Sequence, residues 1–327
     1  MRSIRRILVA VKDPTSKRSP AVAKAAQLAR ALGADLELFH SISTPRYVDT
    51  YSSNETLPDI ERTTRRQCME QLEAMAGSVR RKGLKVAVSA EWDYPVYEAI
   101  VRRATCVKAD LIAAERHAGR HIAPGLLQLT DWELLRLSPV PVLLVKTAGA
   151  YRRPAVLAAI DPAHTYSKPA KLDDEILRAG FTVANALRGT LHAVHAYIPV
   201  PIGAFPYYSL NENVLVRLEA QSAAVAQRSF DRALRSVKIP KARRHLVGLH
   251  PITAIEHTAR ETRSAIVVMG AVSRSGLKRL FIGNTAENLL DRLPCDVLIV
   301  KPALFASRVQ RRRRGIRRPV MAAIPAM

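Results

Sequence analysis

The sequence predicts an α/β fold built from two tandem units, each a five-stranded parallel sheet with helices on both faces. Three observations carry this. Short continuous runs of Val, Ile, Leu and Ala alternate with longer helical patterns, and apolar runs without polar alternation mark strands buried on both faces. The chain is also written twice. TDWELLRLSPVPVLLVK at 130–146 lies over TAENLLDRLPCDVLIVK at 285–301 without a gap, an offset of 155 residues, and ADLIAAE (109–115) lies over SAIVVMG (264–270) at the same offset. Finally, a length of 327 residues suits two domains.

The elements follow in order. A first strand at 6–12 contains ILVAV; its apolar run is too short for a signal peptide and continues straight into Lys12 and Asp13. A helix at 18–32 leads to a strand at 35–41, LELFHS, closed by His40. Helices at 57–82, 95–106 and 130–137 then separate strands at 84–90, 110–114 and 141–145. The second set of strands is 154–160, running into Asp161-Pro162 as the first strand runs into Asp13-Pro14, then 190–197 with His195 in place of His40, then 243–248, 265–269 and 296–300. The units are 1–147 and 152–303, with a basic, disordered tail at 304–327. Strand-helix-strand alternation implies right-handed crossovers, and open sheets of this kind bind ligands beyond the carboxyl ends of their strands, where the strand order reverses. The final strands are edges. The two repeats pair them within one chain as a pseudo-dimer, or leave surface for a homodimer.

Composition narrows the function. The net charge is +23, and it is still +16 without the seven arginines at 308, 311–314, 317 and 318. Such a field favours polyanion contact through the Arg-rich tail, although no aromatics are interleaved there for base stacking. Three scattered cysteines without CxxC spacing give neither a disulfide framework nor a metal knuckle and fit a reducing cytoplasm. No apolar run is long enough to span a membrane. There is no GxSxG, HExxH or GxxxxGK[ST] motif, so no catalytic residue is assigned.

Two clusters invite other chemistry. ERHAGRH (115–121) brings Glu115, His117 and His121 together, but Gly119 argues for a loop and a third ligand is lacking. PVPIGAFPYYSLN (199–211) is either a crossover loop or a cover for a lipid-like ligand. His40 and His195 read as structural donors to neighbouring carbonyls, and Cys295 as a small buried filler.

The remaining signal is GAVSRSGLKRLFIGNTAENLL (270–290), which follows the strand at 265–269. Glycines here permit a close backbone approach, and a helix N-terminus near Asn284 offers free N–H groups to a phosphate. The first-strand run ILVAVKDP, the His closing the second strand, and the GNTAENLLDRLPCDVLIVKP finish resemble the universal stress protein family in its tandem form, over nearly the whole chain except the tail. The resemblance implies Rossmann-like domains of the adenine nucleotide alpha hydrolase type and a cytoplasmic binding or regulatory protein of the stress response, not a metabolic enzyme.

It also implies a site. Nucleotide-binding members carry Gly, two residues, Gly, nine residues, Gly, then Ser or Thr. Here that pattern falls on Gly270, Ser273, Gly283 and Asn284, with Thr285 adjacent; Ser273 and Asn284 depart from it. The adenosine side falls on Asp161 and Ala196. The resemblance thus points to ATP or another adenine nucleotide in the second unit only. The structural alternative is that Gly283 turns the chain and Asn284 caps a helix. At the same offset, Gly270, Gly276 and Gly283 become Glu115, His121 and Gln128, so the first unit has lost its phosphate loop. A scaffold acting through protein partners, a lipid-like ligand or polyanions is the other reading of function, and a slow ATPase a third.

Overall fold

The structure, a computed structural model, describes residues 3–43, 57–116, 128–163, 171–199, 212–271, 290, 292–302, 305 and 307–310. The first repeat contributes β1 (Arg6–Ala10), α1 (Pro20–Leu32), β2 (Asp35–Ile42), α2 (Leu57–Arg80), β3 (Val86–Trp92), α3 (Val96–Cys106), β4 (Leu111–Glu115), α4 (Gln128–Leu137) and β5 (Val142–Val145). The second contributes β6 (Ala155–Ile160), α5 (Leu172–Ala186), β7 (Thr190–Ala196), α6 (Glu212–Ala233), β8 (Arg244–Val247), α7 (Pro251–Glu261), β9 (Ile266–Gly270) and β10 (Asp296–Val300). All ten strands expected from the apolar runs are present. The helix expected near Asn284 and the segment 199–211 lie mostly or wholly outside the described residues.

Local chemistry explains where elements begin and end. Ser19 caps α1 by accepting from Val22 N, Pro20 opens its first turn, and Gly33 closes it at φ 65°. The sheet separates two apolar layers. α1, α2, α5 and α6 pack one face through Ala25, Leu72, Ile176 and Phe230. α3, α4 and α7 pack the other through Val101, Leu135 and Ile255. The central strands β1, β6 and β9 are buried at every position but one at an end, whereas the edge strand β8 is half-buried along its length.

Each repeat forms the expected five-stranded parallel sheet, and the two sheets are joined edge to edge. The strands form a single ten-stranded sheet in the order β3-β2-β1-β4-β5-β10-β9-β6-β7-β8. Each half is parallel, and β5 and β10 join antiparallel. The physical reason is the edge problem: the last strand of each half exposes unpaired N–H and C=O groups, and pairing them with each other removes both edges. The register sets Leu143 opposite Leu298, residues that stand 155 apart in the sequence. An approximate twofold axis therefore passes between them.

Side chains lock this seam. Lys146 Nζ donates to the carbonyls of Leu290 (2.6 Å) and Leu293, and its repeat mate Lys301 donates to the Arg136 carbonyl at the C-terminal end of α4 (3.1 Å). Each closing lysine thus crosses the axis to serve carbonyls of the other repeat. Burial, with the Arg136 charge adding to it, lowers the Lys301 amine to about 7. One polar node has no symmetry mate, because residue 141 is Pro where the second repeat has Asp296. Asp296 Oδ1 accepts from Lys146 N (2.9 Å), Thr147 N (3.0 Å) and Thr147 Oγ1 (3.1 Å). Its Oδ2 accepts from Lys24 Nζ and Tyr151 Oη, both at 2.5 Å. Burial and Asp296 push the Tyr151 phenol well above its usual range, so it remains a donor. The segment linking the repeats is held to β10 at this point.

Candidate functional site

The site expected in the second repeat lies where the strand order reverses, between β6 and β9. Ile160 pairs with His195, so Asp161 and Ala196 leave the sheet side by side. Extending the β6–β9 register by two residues brings Gly270 opposite Ile160. The structure thus gathers three of the expected residues, Asp161, Ala196 and Gly270, at the carboxyl ends of neighbouring strands. Ser273, Gly283, Asn284 and Thr285 lie outside the described residues.

Asp161 is held by its backbone, whose N–H donates to Asp173 Oδ1 in the first turn of α5 (3.1 Å). Its own Oδ2 is buried and has no hydrogen-bond donor among the described residues. Ala163, two residues further along, and Ala196, on the next strand, line a cavity of about 430 Å³ together with His195, Tyr197 and with Leu218, Ser222 and Ala226 of α6. His195 is buried at its floor, tilted against Phe230 with ring centroids 5.8 Å apart. Its counterpart His40 donates from Nδ1 to the Val11 carbonyl (2.8 Å), the structural role expected of it.

Gly270 has a packing reason of its own. A Cβ there would stand 2.6 Å from Leu172 Cδ2 and 3.1 Å from Ile176 Cδ1. The close approach this glycine permits is to α5. The glycine is needed whether or not a phosphate comes near.

The corresponding place in the first repeat is closed by its own side chains. Glu115, at the position of Gly270, accepts from Ser19 Oγ (2.6 Å) and Ala21 N (3.0 Å) with one carboxylate oxygen, Oε1. A carboxylate thus occupies the positive N-terminal end of α1. Asp13 is also satisfied, accepting from Thr15 N (2.9 Å) and Thr15 Oγ1 (2.6 Å). These bonds hold its pKa below the usual carboxylate range. The contrast with Asp161 is direct: Glu115 and Asp13 of the first repeat are hydrogen-bonded, whereas Asp161 Oδ2 has no donor among the described residues.

Sequence reasoning missed the pair His192 and His245. They lie on the adjacent strands β7 and β8, with Nδ1 of one 3.1 Å from Nε2 of the other and their rings stacked. Burial lowers both pKa values, and the neighbouring His245 lowers His192 further. Register across two strands far apart in sequence brings them together, and no local pattern signals that. No group of three or more His, Cys, Asp or Glu side chains among the described residues is arranged to hold a metal ion, and His117 and His121 fall outside those residues. Cys295 is buried, and desolvation pushes its thiol up to about 12, as suits an inert filler.

The model of the universal stress protein family matches residues 3–146 and 156–301. The chain belongs to the universal stress protein family. It is 26% identical to universal stress protein E of Escherichia coli K12 over 321 residues, covering 93% of this chain and 96% of that protein. It is 25% identical to universal stress protein E of Photorhabdus laumondii over 306 residues, covering 91% and 95%. Among solved structures, a functionally unknown protein from Pseudomonas aeruginosa PAO1 shares the fold with a TM-score of 0.70 at 24% identity, covering 92% of this chain and 94% of that one. A universal stress protein from Archaeoglobus fulgidus shares it with a TM-score of 0.61 at 18% identity, covering 92% and 99%. As a universal stress protein this chain is thus of the tandem kind, resembling universal stress protein E along nearly its whole length. No helix among the described residues is long and apolar enough to cross a membrane.

Proposed function

We propose that this tandem universal stress protein is a cytoplasmic binding and regulatory module of the stress response that takes an adenine nucleotide, ATP in the first instance, in its second repeat only. The units would be 1–147, which is closed, and 152–303, which binds. One observation carries the reading: Asp161 keeps a buried carboxylate oxygen without a donor among the described residues, at a strand end whose neighbours Ala163 and Ala196 line a cavity. Buried acceptors are nearly always satisfied, so an open one marks a place where a ligand's donor belongs. A ribose hydroxyl or an adenine amino group supplies such a donor. Ser273, Gly283, Asn284 and Thr285 would then surround the phosphates, with Gly270 holding the strand end against α5.

Isothermal titration of the full chain with ATP and magnesium, beside the Asp161→Ala variant, tests this. Saturable binding at one site per chain, weakened at least tenfold by Asp161→Ala with an unchanged melting temperature in the absence of ligand, supports it. Gly270→Glu is a poor probe because it disturbs Leu172 and Ile176 regardless of ligand. No heat, no thermal shift and no co-purifying nucleotide would mean that the crevice takes something else. Ile198 and Val225, which line the cavity and are 49% and 54% exposed, favour a lipid-like ligand in that event. Phosphate release above the level of the Asp161→Ala variant would be needed to call the protein an ATPase.

A further inference from the structure

The outer face of α6 carries an arrangement that stability does not account for. Arg217, Arg228 and Arg232 lie on α6, and Arg235 lies in the 3₁₀ turn Leu234–Ser236 that continues it; all four are exposed. At 100° per residue they fall within an arc of about 60° and span about 27 Å of helix axis. This arc is opposite the buried Ala226, Phe230 and Leu234. None of the four is paired with a carboxylate among the described residues. The acid nearest in sequence, Asp231, is taken: Oδ1 accepts from Arg244 (3.2 Å) and Oδ2 from Gln227 (2.9 Å).

Arg228 and Arg232 stand four residues apart, and Arg232 and Arg235 three apart. Like charges at these spacings oppose the helix. In the first repeat, α2 instead pairs Arg62 with Asp59 and Arg80 with Glu73. Beyond the 3₁₀ turn, Val237 and Ile239 turn inward, and Lys238 and Lys241 extend the charge toward the edge strand β8.

We propose that this stripe is a docking surface for the phosphodiester backbone of duplex nucleic acid, bound without sequence selection. A row of guanidinium groups along one helix face matches a row of phosphates. No aromatic side chain lies on the stripe to stack on unpaired bases, which disfavours a single strand. The surface belongs to the folded body of the second repeat and stands more than 70 residues before the Arg-rich stretch in the sequence.

Fluorescence anisotropy of the full chain with a random-sequence duplex of about 20 base pairs, between about 50 and 200 mM salt, tests the proposal. The triple variant Arg228→Gln, Arg232→Gln, Arg235→Gln should bind at least tenfold more weakly, with the slope of log K against log salt shallower by about 2.7. Its melting temperature should be unchanged or raised, because the repulsion is gone. Arg66→Gln, Arg81→Gln, Lys82→Gln removes equal charge from exposed positions of the first repeat and should leave most of the affinity. Equal losses in the two variants would mean that only net charge matters, and no loss in either would place binding in the terminal arginines. Stripe-dependent binding to vesicles containing anionic phospholipid, without binding to duplex, would assign the surface to membranes. Each of these three results overturns the proposal.

Discussion

Replacing Asp296 with alanine should destabilise the protein more than any exposed substitution, because one carboxylate serves five donors from the other repeat and the linker. Asp296 and Lys24 are 0% and 1% exposed. Removing the acid leaves a buried ammonium without its counter-charge, a change that costs about 3–5 kcal/mol. The N–H groups of Lys146 and Thr147 and the Tyr151 hydroxyl also lose their acceptor, and stranded groups of that kind cost about 1–3 kcal/mol each when water cannot reach them. These costs overlap, so about 4 kcal/mol is the expected total. With an unfolding entropy of about 2.1 cal/mol/K per residue, a chain of this length should melt about 6 °C lower. Lys24→Met should cost less, since four donors to Asp296 remain. The double variant Lys24→Met, Asp296→Ala should be no worse than Asp296→Ala alone, because the orphaned cation is gone. Urea and thermal denaturation followed by circular dichroism give all three values. A cost below about 1 kcal/mol for Asp296→Ala, or strictly additive effects in the cycle, would refute the node as a clamp between the repeats.

Two further outcomes follow from Arg188 and Lys301. Arg188 adopts φ 52° where the first repeat has Gly33 at φ 65°; a left-handed conformation is strained for a residue with a Cβ, so Arg188→Gly should stabilise by about 0.5–1 kcal/mol in the same melts. Lys301, near 7 when folded and 10.5 when unfolded, binds fewer protons in the native state across that interval. Stability should therefore rise with pH from about 7 to 10, and Lys301→Met should flatten that rise; an identical pH profile in the variant would show that Lys301 is not the group responsible.

Much of the fold was legible because its signals are local. Ten apolar runs read as ten strands, since a strand buried on both faces has no reason to alternate. The offset of 155 residues showed the duplication. Gly270 could be placed at a strand end because the apolar run before it reads as a strand and topology puts the ligand crevice there, whereas Asp161 and Ala196 came from the resemblance to the universal stress protein family. That Glu115 stands where the second repeat has Gly270 could be read from the same offset.

Other features depend on residues far apart in sequence. That Glu115 caps α1, so that the first crevice is filled by a carboxylate and not simply missing its glycines, needed the contact with Ser19 and Ala21. That Gly270 is required by Leu172 and Ile176 needed the packing of α5. That Asp161 Oδ2 has no donor among the described residues depends on where side chains distant in sequence lie. Sequence by itself determined the elements, the repeat and the candidate crevice, because period, spacing and turn chemistry act over a few residues. Only the tertiary structure decided that the halves share one sheet through β5 and β10, with two lysines crossing the axis and Asp296 fastening the linker. Edge pairing, burial and hydrogen-bond satisfaction are properties of the assembled chain, and no stretch of it carries them alone.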